Sequence, residues 1–408
     1  MKYNLGEKIL NDKDIVICYA KRTAIGKFGG SLLPYNASKL LSFVIKDCLE
    51  KTGIDPKIIS DVKSGCCMEP QEEMNVARTA ALIAGIPIEV PAMTINRVCT
   101  SAMEAIRASW VDIMAGQGEL FLAGGTEAMS NVAYYLPAAR FGARLGNTEL
   151  KCGLMEGLHA GSKAFAPPGY IMGLTAEYTA EKYGITRQMQ DEAALRSHNN
   201  AEKANTSGRF KDEILPIEVV PDRGKPYIYE KDEHFRPGLT MEDLQKLRPA
   251  FKKDGTVTAG NSSGINDGAC ITLVTTLSKA QELGLTPLVK IVTISKIGND
   301  PRFMGMGPMY SAPLALKQAN MEYKDLGLVE CNEAFAAQYV AVAQQLNWDI
   351  EKTNVNGSGI GLGHPVGCTG ARIVVTLIHE MKKRGVSYGL ATLCGGGGVS
   401  EAVIVENI

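Results

Sequence analysis

Apolar residues along the chain follow two different spacings, and each spacing predicts a different kind of element. Short continuous apolar runs such as "DIVICYA" and "GELFLAGG" predict buried strands. The stretch "ASKLLSFVIKDCLEKTG" has apolar residues at helical spacing and ends at a glycine, which predicts a helix and its stop signal. Because such runs and helical stretches alternate along the chain, the pattern predicts an α/β fold.

The last quarter of the chain repeats an order of motifs found in the first half. A small-residue turn at Cys99 precedes a helical stretch and the strand-like run "GELFLAGGTEA". A second such turn at Cys368 precedes "RIVVTLIHEMKKRG" and "SYGLATLCGGGG". The matched order and spacing favour a duplicated α/β unit over a chance likeness between two strand–helix units.

A stretch of different composition separates the two halves. It is rich in Gly, Pro and polar residues, as in "LPAARFGARLGN" and "FAPPGYIMG", with helical stretches such as "TRQMQDEAALRSHNNAEKA" between them. An insertion of this size on a compact core is often a lid or a binding domain. We predict a first half from residues 1–129 and 254–284, an inserted loop domain at 130–253, and a second half at 285–408.

Composition and charge narrow the class of protein. The 408 residues are 45% hydrophobic with a formal net charge of −1, which gives no sign of a nucleic-acid partner or an anionic membrane surface. No run approaches the roughly 20 apolar residues of a membrane span, and the first residues lack a signal or transit pattern. The ten cysteines are scattered, so we expect mostly reduced, buried thiols, a cytoplasmic location and no metal site.

Four glycine-rich or small-residue stretches carry reactive groups. Cys99 lies in "NRVCTSAMEAI" at the start of a predicted helix, a position that lowers the pKa of a thiol. Asn332 and Glu333 end a strand in "VECNEAFA", His364 lies in "GLGHPVGCTGAR", and Cys394 precedes four glycines. Each residue taken alone also fits a structural role, as a core thiol, a turn residue or a structural histidine.

Taken together, these groups allow one coherent chemistry. A cysteine nucleophile at Cys99 needs a base, which His364 can supply, and backbone N–H groups can stabilise the oxyanion. Cys394 has no task in simple hydrolysis, but it has one where a second substrate must lose a proton. This indicates formation or cleavage of a carbon–carbon bond through an acyl-cysteine. A hydrolase that uses Cys99, His364 and Asn332 remains an alternative.

Further motifs recur in one order along nearly the whole chain. They are "VCTSA" at Cys99, "GGTEAMS" at 124–130, "MGLTAE" at 172–177, "KLRPAFKKDGTVTAGNSSGINDGA" at 246–269, "MGMGP" at 304–308, "NEAFA" at 332–336, "GHPVGCTGAR" at 363–372 and "CGGGG" at 394–398. In these motifs the chain resembles the thiolases, which include acetyl-CoA acetyltransferases and 3-ketoacyl-CoA thiolases. The resemblance implies the thiolase fold, in which two duplicated α/β halves pack as a layered αβαβα core with an inserted loop domain.

The resemblance also implies a role for each reactive residue. Cys99 is similar to the acylated nucleophile, His364 to its base, and Cys394 to the acid/base that moves the Cα proton of acetyl-CoA. The backbone N–H groups of Cys99 and Gly396 would form one oxyanion hole. His364 and a water held by Asn332 would form the other.

Residues for substrate binding follow from the same resemblance. Ser263 matches a position that meets the pantetheine arm, and Arg236 matches one beside the adenine end. Met172 and Met304 match residues that line the acyl pocket of short-chain members, and Phe335 is expected among the residues that contact substrate. Acyl-CoA and CoA are then the partners. CoA is a substrate or product, so no cofactor is expected.

The implied activity is a reversible Claisen condensation of two acetyl-CoA to acetoacetyl-CoA and CoA, or thiolysis of short 3-ketoacyl-CoA. A thiolase of broader or longer chain specificity is one alternative, because Ile171 stands where many short-chain members have His, and Gly395 where many have a bulky residue. An inactive CoA-binding scaffold is a more remote one. We also expect a homo-oligomer, a tetramer rather than a dimer, with contacts from "AARFGARLGNTELKCGLMEG".

Overall fold

This computed structural model describes residues 3–5, 8–159, 169–221 and 223–408, which contain one mixed β-sheet of eleven strands and three separate two-stranded sheets, β1-β2, β8-β9 and β11-β12. The strands are β1 (Tyr3–Leu5), β2 (Lys8–Leu10), β3 (Ile15–Thr23), β4 (Gly26–Lys27), β5 (Asp61–Gly65), β6 (Ala92–Ile95), β7 (Leu120–Ala128), β8 (Tyr134–Tyr135), β9 (Lys151–Cys152), β10 (Ile214–Leu215), β11 (Ile217–Val219), β12 (Tyr227–Tyr229), β13 (Asn266–Thr276), β14 (Val289–Gly298), β15 (Leu328–Cys331), β16 (Tyr388–Gly395) and β17 (Val399–Asn407). The "FAPP" segment of the predicted insertion lies outside the described residues.

Helices cover the sheet and fill the space between its two halves. The α-helices are α1 (Ala37–Thr52), α2 (Val76–Ile83), α3 (Ser101–Met114), α4 (Gly153–Gly157), α5 (Met172–Tyr183), α6 (Arg187–Thr206), α7 (Met241–Gln245), α8 (Leu277–Glu282), α9 (Pro308–Ala319), α10 (Ala336–Gln345) and α11 (Val366–Arg384). Short 3-10 helices lie at Pro56–Ile58, Met129–Asn131, Ala139–Phe141, Pro301–Met306, Tyr323–Asp325 and Ile350–Lys352.

Local sequence signals account for the boundaries of the predicted elements. In α1 the side chain of Asn36 accepts a hydrogen bond from the Lys39 N–H, and Gly53 ends the helix in the left-handed region. The predicted strands correspond to β3 and β7, both of which are almost wholly buried. The helix predicted inside the insertion corresponds to α6, which Thr186 caps at its start.

The two halves of the chain share one strand order. In the first half the order is β3-β13-β7-β5-β6, and in the second it is β14-β17-β16-β15. A parallel bridge between Val329 of β15 and Thr353 supplies the counterpart of β6. In each half, the strand that comes first in sequence therefore lies beside the strand that comes last. The penultimate strand lies on the other side of that last strand. The predicted duplicated α/β fold is confirmed.

Helices α3 and α11 form the central layer of the molecule. They pack on each other, with α3 against β7 and β5 and α11 against β7 and β16. Helix α1 covers the outer face of the first half and α9 that of the second, which gives the layered αβαβα arrangement. Nearly every residue of α11 is buried, as expected for a helix enclosed by two sheets.

This layering places the ends of several elements together. Cys99 lies just before α3 and His364 just before α11, while Asn332 follows β15 and Cys394 lies near the end of β16. None of the helices in the described part of the chain is long and apolar enough to cross a membrane.

Candidate active site

A cavity of about 910 Å³ opens where these element ends meet. Its lining includes Cys99, His364 and Gly396. Apolar side chains from the insertion, such as Met155 and Leu158, form part of the same wall. The volume lies toward the upper end of the range for small-molecule sites, so the cavity can hold a large ligand beside Cys99.

The residue before Cys99 has a strained backbone. Val98 has a φ of 51°, a left-handed conformation that is a true outlier for a β-branched residue. Its carbonyl accepts hydrogen bonds from the Ser101 hydroxyl at 2.6 Å and from the Cys67 thiol at 2.9 Å. Such strain persists only where surrounding contacts enforce it, and here those contacts hold the turn that presents Cys99 to the cavity.

The Cys99 thiol faces two backbone donors. The N–H groups of Gly396 and of Cys99 itself point toward the sulfur, where they would also stabilise an oxyanion formed at an attached acyl group. The expectation of a lowered pKa is wrong, because burial raises the pKa of Cys99 to about 11 and outweighs these donors. Cys99 also lies two residues before α3, outside its first turn. The resting residue is therefore a thiol that needs a base.

The hydrogen bonds of His364 determine which ring nitrogen is free. Its Nδ1 lies 2.7 Å from the Thr369 hydroxyl oxygen, and that hydroxyl donates its own hydrogen to the Pro365 carbonyl. Thr369 can therefore only accept from His364, so Nδ1 carries the proton and Nε2 carries an unprotonated lone pair, which the Asn332 amide nitrogen approaches to 3.4 Å. Burial lowers the pKa of His364 to about 3, which keeps the ring neutral and able to act as a base.

We expect Thr369→Val to reduce kcat by about tenfold to a hundredfold with little change in KM, because the buried Nδ1–H would lose its acceptor. The ring would then favour the tautomer whose Nε2 is protonated and cannot act as a base. Steady-state thiolysis assays would measure this. Thr369→Ser keeps the hydroxyl and should keep most of the activity. Equal losses in both variants would contradict the tautomer argument.

Asn332 lies beside His364 behind the cavity wall. Its amide nitrogen is 3.4 Å from Nε2 and 3.5 Å from Nδ1 of the histidine ring. Its buried Oδ1 has no hydrogen-bond partner among the described residues. The buried carboxylate of Glu333 fixes this loop, since it accepts from the Ser197 hydroxyl at 2.5 Å and from the Asn354 amide at 2.8 Å. The Asn332 amide is thus held beside the base with a free acceptor.

Cys394 is fully buried and lies next to Cys99. Burial raises its pKa, and the neighbouring charge of an ionised Cys99 raises it further. The expectation that Gly395 loosens the pocket is wrong, because Gly395 is not part of the cavity lining. A Cβ at Gly395 would point at Val399, 2.7 Å from its Cγ2, rather than into the cavity.

All five residues predicted to bind substrate line the cavity. These are Ser263, Arg236, Met172, Met304 and Phe335. Ile171, where the chain departs from many short-chain members, lines it as well. The structure therefore brings the predicted binding residues to one cavity with Cys99 and His364.

Sequence reasoning missed a buried carboxylate behind the nucleophile. Glu127 accepts hydrogen bonds from the backbone N–H groups of Cys67 and Met68 at 3.0 Å and of Gly367 at 2.7 Å. It thereby ties the loop that lines the cavity to the start of α11. The motif "GGTEAMS" contained this residue, but the sequence offered no partner for it.

Comparison with protein families agrees with this geometry. A family model described as "Thiolase, N-terminal domain" matches residues 15–278, and one described as "Thiolase, C-terminal domain" matches residues 285–407. The chain belongs to the thiolase family. The resemblance inferred from the motifs is thereby confirmed.

Individual relatives match over nearly their whole length. The acetyl-CoA acetyltransferase of Cupriavidus necator is 47% identical over 394 residues, which cover 96% of this chain and 99% of the relative. That of Escherichia coli is 45% identical, covering 97% of this chain and 100% of the relative.

Solved structures of thiolases also superpose on nearly the whole chain. The acetyl-CoA acetyltransferase of Bacillus anthracis superposes with a TM-score of 0.93 at 46% identity, covering 97% of this chain and 99% of that chain. Human mitochondrial 3-ketoacyl-CoA thiolase in complex with CoA superposes with a TM-score of 0.92 at 40% identity, covering 97% of this chain and 98% of the other.

Proposed function

We propose that the protein is an acyltransferase that condenses two acetyl-CoA to acetoacetyl-CoA and CoA, and that runs the reverse thiolysis. The observation that carries this proposal is that Cys99, His364 and Gly396 line one cavity, with the buried Cys394 beside Cys99. The acetyl-CoA acetyltransferases at 45–47% identity support the same reaction. CoA is substrate and product, so the reaction needs no cofactor.

In the first half-reaction, His364 Nε2 takes the proton of Cys99. The sulfur attacks the thioester carbonyl of acetyl-CoA, while the N–H groups of Cys99 and Gly396 meet the developing oxyanion. The carbon–sulfur bond to CoA then breaks, and the CoA sulfur receives the proton from His364. The product is acetyl-Cys99.

In the second half-reaction, the Cys394 thiol passes its proton to Nε2 of His364, and the resulting thiolate removes a Cα proton from a second acetyl-CoA. The enolate oxygen accepts from the Nε2–H of His364 and from a water that the free Oδ1 of Asn332 would hold. The carbanion attacks the acetyl carbonyl, a carbon–carbon bond forms, and Cys99 leaves. The Cys99 thiolate takes the proton from His364, and Cys394 keeps the Cα proton, so both cysteines end as thiols and atoms and charge balance.

An assay of products tests the reaction class. With acetoacetyl-CoA and CoA, we expect two molecules of acetyl-CoA for each substrate consumed, measured by chromatography of the acyl-CoA pool. A hydrolase built on Cys99, His364 and Asn332 would release free acid instead. An inactive CoA-binding scaffold would leave acetoacetyl-CoA unchanged.

We infer a preference for short acyl groups from the two methionines beside the nucleophile. The Met172 side chain packs over Gly396, where an added Cβ would lie 2.4 Å from the methionine Cε. Met304 is almost fully buried and lines the same cavity. A buried methylene favours binding by roughly 0.8 kcal/mol where there is room, and a crowded pocket turns that gain into a clash.

We expect kcat/KM for acetoacetyl-CoA to exceed that for 3-ketooctanoyl-CoA. Met172→Ala should shift the ratio toward the longer substrate by about tenfold, because it opens space beside Gly396. Met309→Ala is the matched control, since Met309 belongs to the same apolar cluster without lining the cavity. A wild-type preference for the longer ester would refute the short-chain inference and support the broader specificity.

We infer a homo-oligomer, with a tetramer favoured over a dimer. The loop after β8 exposes large apolar side chains, among them Phe141 at 85% and Leu145 at 99%. Exposed apolar surface of this kind fits contacts between copies of the chain. Light scattering should give the mass of a tetramer, and Phe141→Ser with Leu145→Ser should lower the mass. A stable, active wild-type monomer would contradict the inference.

We also place the protein in the cytoplasm. All ten cysteines are free thiols, which supports a reducing compartment. Microscopy of a tagged full-length chain in its own host would test this location.

A further inference from the structure

The buried side chain of Asn266 holds the backbone of the proposed base. Asn266 begins β13, is fully buried and does not line the cavity, although its neighbour Ile265 does. Its Oδ1 accepts the backbone N–H of His364 at 2.9 Å. Because β13 belongs to the first half of the fold and His364 to the second, this bond joins the base to the opposite half.

The Gly26 carbonyl and the His364 N–H determine which way the Asn266 amide points. Its nitrogen donates to the Gly26 carbonyl at 2.9 Å and lies 3.2 Å from Nδ1 of His234. A backbone carbonyl can only accept, so the nitrogen end of the amide faces Gly26. With the nitrogen there, Oδ1 must face the N–H of His364.

Two glycines make room for the side chains of Asn266 and His234. A Cβ at Gly363, directly before His364, would lie 2.6 Å from Cγ of Asn266. A Cβ at Gly264 would lie 2.1 Å from Cε1 of His234 and 2.7 Å from Oδ1 of Asn266. Gly363 also has a φ of 104°, which L side chains rarely adopt. Both glycines are therefore needed for the close approach of Asn266 and His234 to the loop of the base.

We propose that Asn266 is a positioning residue for His364, and that His234 acts on the same base through Asn266. This inference rests on the proposed function, in which His364 removes the proton of Cys99. A base works only within hydrogen-bond reach of its proton, and a backbone held at the adjacent N–H restricts where the ring can lie. Asn266 does not line the cavity, and His234, which does, need not touch the reacting atoms to act through Asn266.

Replacing Asn266 tests this in a single-turnover reaction. We expect Asn266→Ala to slow acetylation of Cys99 by acetyl-CoA by about tenfold to a hundredfold, with KM in steady state changed less than about twofold. The pH at which the acetylation rate rises should also move upward, because the thiol then depends more on its own ionisation. Quenched-flow mass spectrometry gives both readouts. An unchanged rate and pH profile would overturn the proposal.

A matched control separates positioning from general destabilisation. Asn205 is also buried, and its side chain donates to Ala201 and Asp232 and accepts from the Asp232 N–H, away from the cavity. Asn205→Ala should lower the thermal unfolding midpoint like Asn266→Ala, but leave the acetylation rate and its pH profile unchanged. If both variants lose acetylation in proportion to stability, the role of Asn266 is merely structural and the proposal fails.

A double-mutant cycle tests the path from His234. We expect His234→Phe alone to slow acetylation several-fold, and to have no further effect in the Asn266→Ala background. If the falls in acetylation rate of the two single variants multiply in the double variant, His234 does not act through Asn266 and the role given to His234 is wrong. Where Asn266→Ala does not fold, an unchanged rate in His234→Phe overturns the proposal.

The same assay distinguishes failure of the positioning role from failure of the proposed function. The wild-type chain must acetylate Cys99, and His364→Ala must largely lose that reaction. If these two results hold while the Asn266 variants behave as wild type, only the positioning role is refuted. If the wild-type chain forms no acetyl-Cys99, the proposed function itself is refuted.

Discussion

Replacement of Cys99 by alanine is expected to abolish acetyl transfer, with a fall in kcat of at least about 10⁴-fold, the scale seen when a covalent nucleophile is removed. Cys99 is the thiol with two backbone N–H groups aimed at it and a neutral histidine in the same cavity. Without the sulfur no acyl-enzyme forms, and the oxyanion donors have no tetrahedral centre to stabilise. The remaining binding groups can hold CoA but cannot transfer the acyl group.

Mass spectrometry of peptides after incubation with acetyl-CoA would check this. The wild-type chain should carry one acetyl group on Cys99, and Cys99→Ala should carry none. Cys18→Ala is the matched control, because Cys18 is also a partly buried free thiol but lies on β3 away from the cavity. An adduct found only on Cys394, or an active wild-type enzyme without any adduct, would show that Cys99 is not the nucleophile.

Cys394→Ala is expected to separate the two half-reactions. The variant should still acquire an acetyl group on Cys99, but condensation and thiolysis should fall by at least about 10²-fold, the low end for a positioned acid/base. The physical reason is that acetylation uses His364 alone, whereas the enolate step needs a second group to take the Cα proton. Burial favours the neutral thiol of Cys394, the form that results from that step.

Isotope exchange gives an independent readout of this step. The wild-type enzyme should exchange the Cα protons of acetyl-CoA with deuterated water, and Cys394→Ala should not. Cys48→Ala is the control for loss of a buried thiol, since Cys48 is fully buried in α1. Near-full condensation by Cys394→Ala would mean that another group moves the proton.

The sequence was sufficient for the elements and for the family. Apolar runs predicted β3 and β7, the glycine stop predicted the end of α1, and the repeated motif order predicted the duplication that the strand order confirms. These features depend on spacing within a short segment, so they can be read without knowing what lies opposite in space. The motifs around Cys99 and His364 were readable for the same reason.

The pKa of Cys99 and the orientation of Gly395 could not be predicted from spacing along the sequence. The position of Cys99 near a helix start predicted a lowered pKa, but burial between the two halves raises it instead. Gly395 was expected to loosen the pocket because it stands next to Cys394 where many thiolases have a bulky residue. The pleat of β16 turns that position away from the cavity toward Val399, which only the packed sheet reveals.

What the sequence determined, then, was the α/β pattern, its duplication and which residues are chemically able to react. The tertiary structure decided which nitrogen of His364 is free, through Thr369, and which residue holds its backbone, through Asn266. Both effects depend on desolvation and on hydrogen bonds, and the bond from Asn266 comes from a strand of the opposite half. Such contacts exist only after the chain has folded, because their energies depend on distance in space and on the exclusion of water.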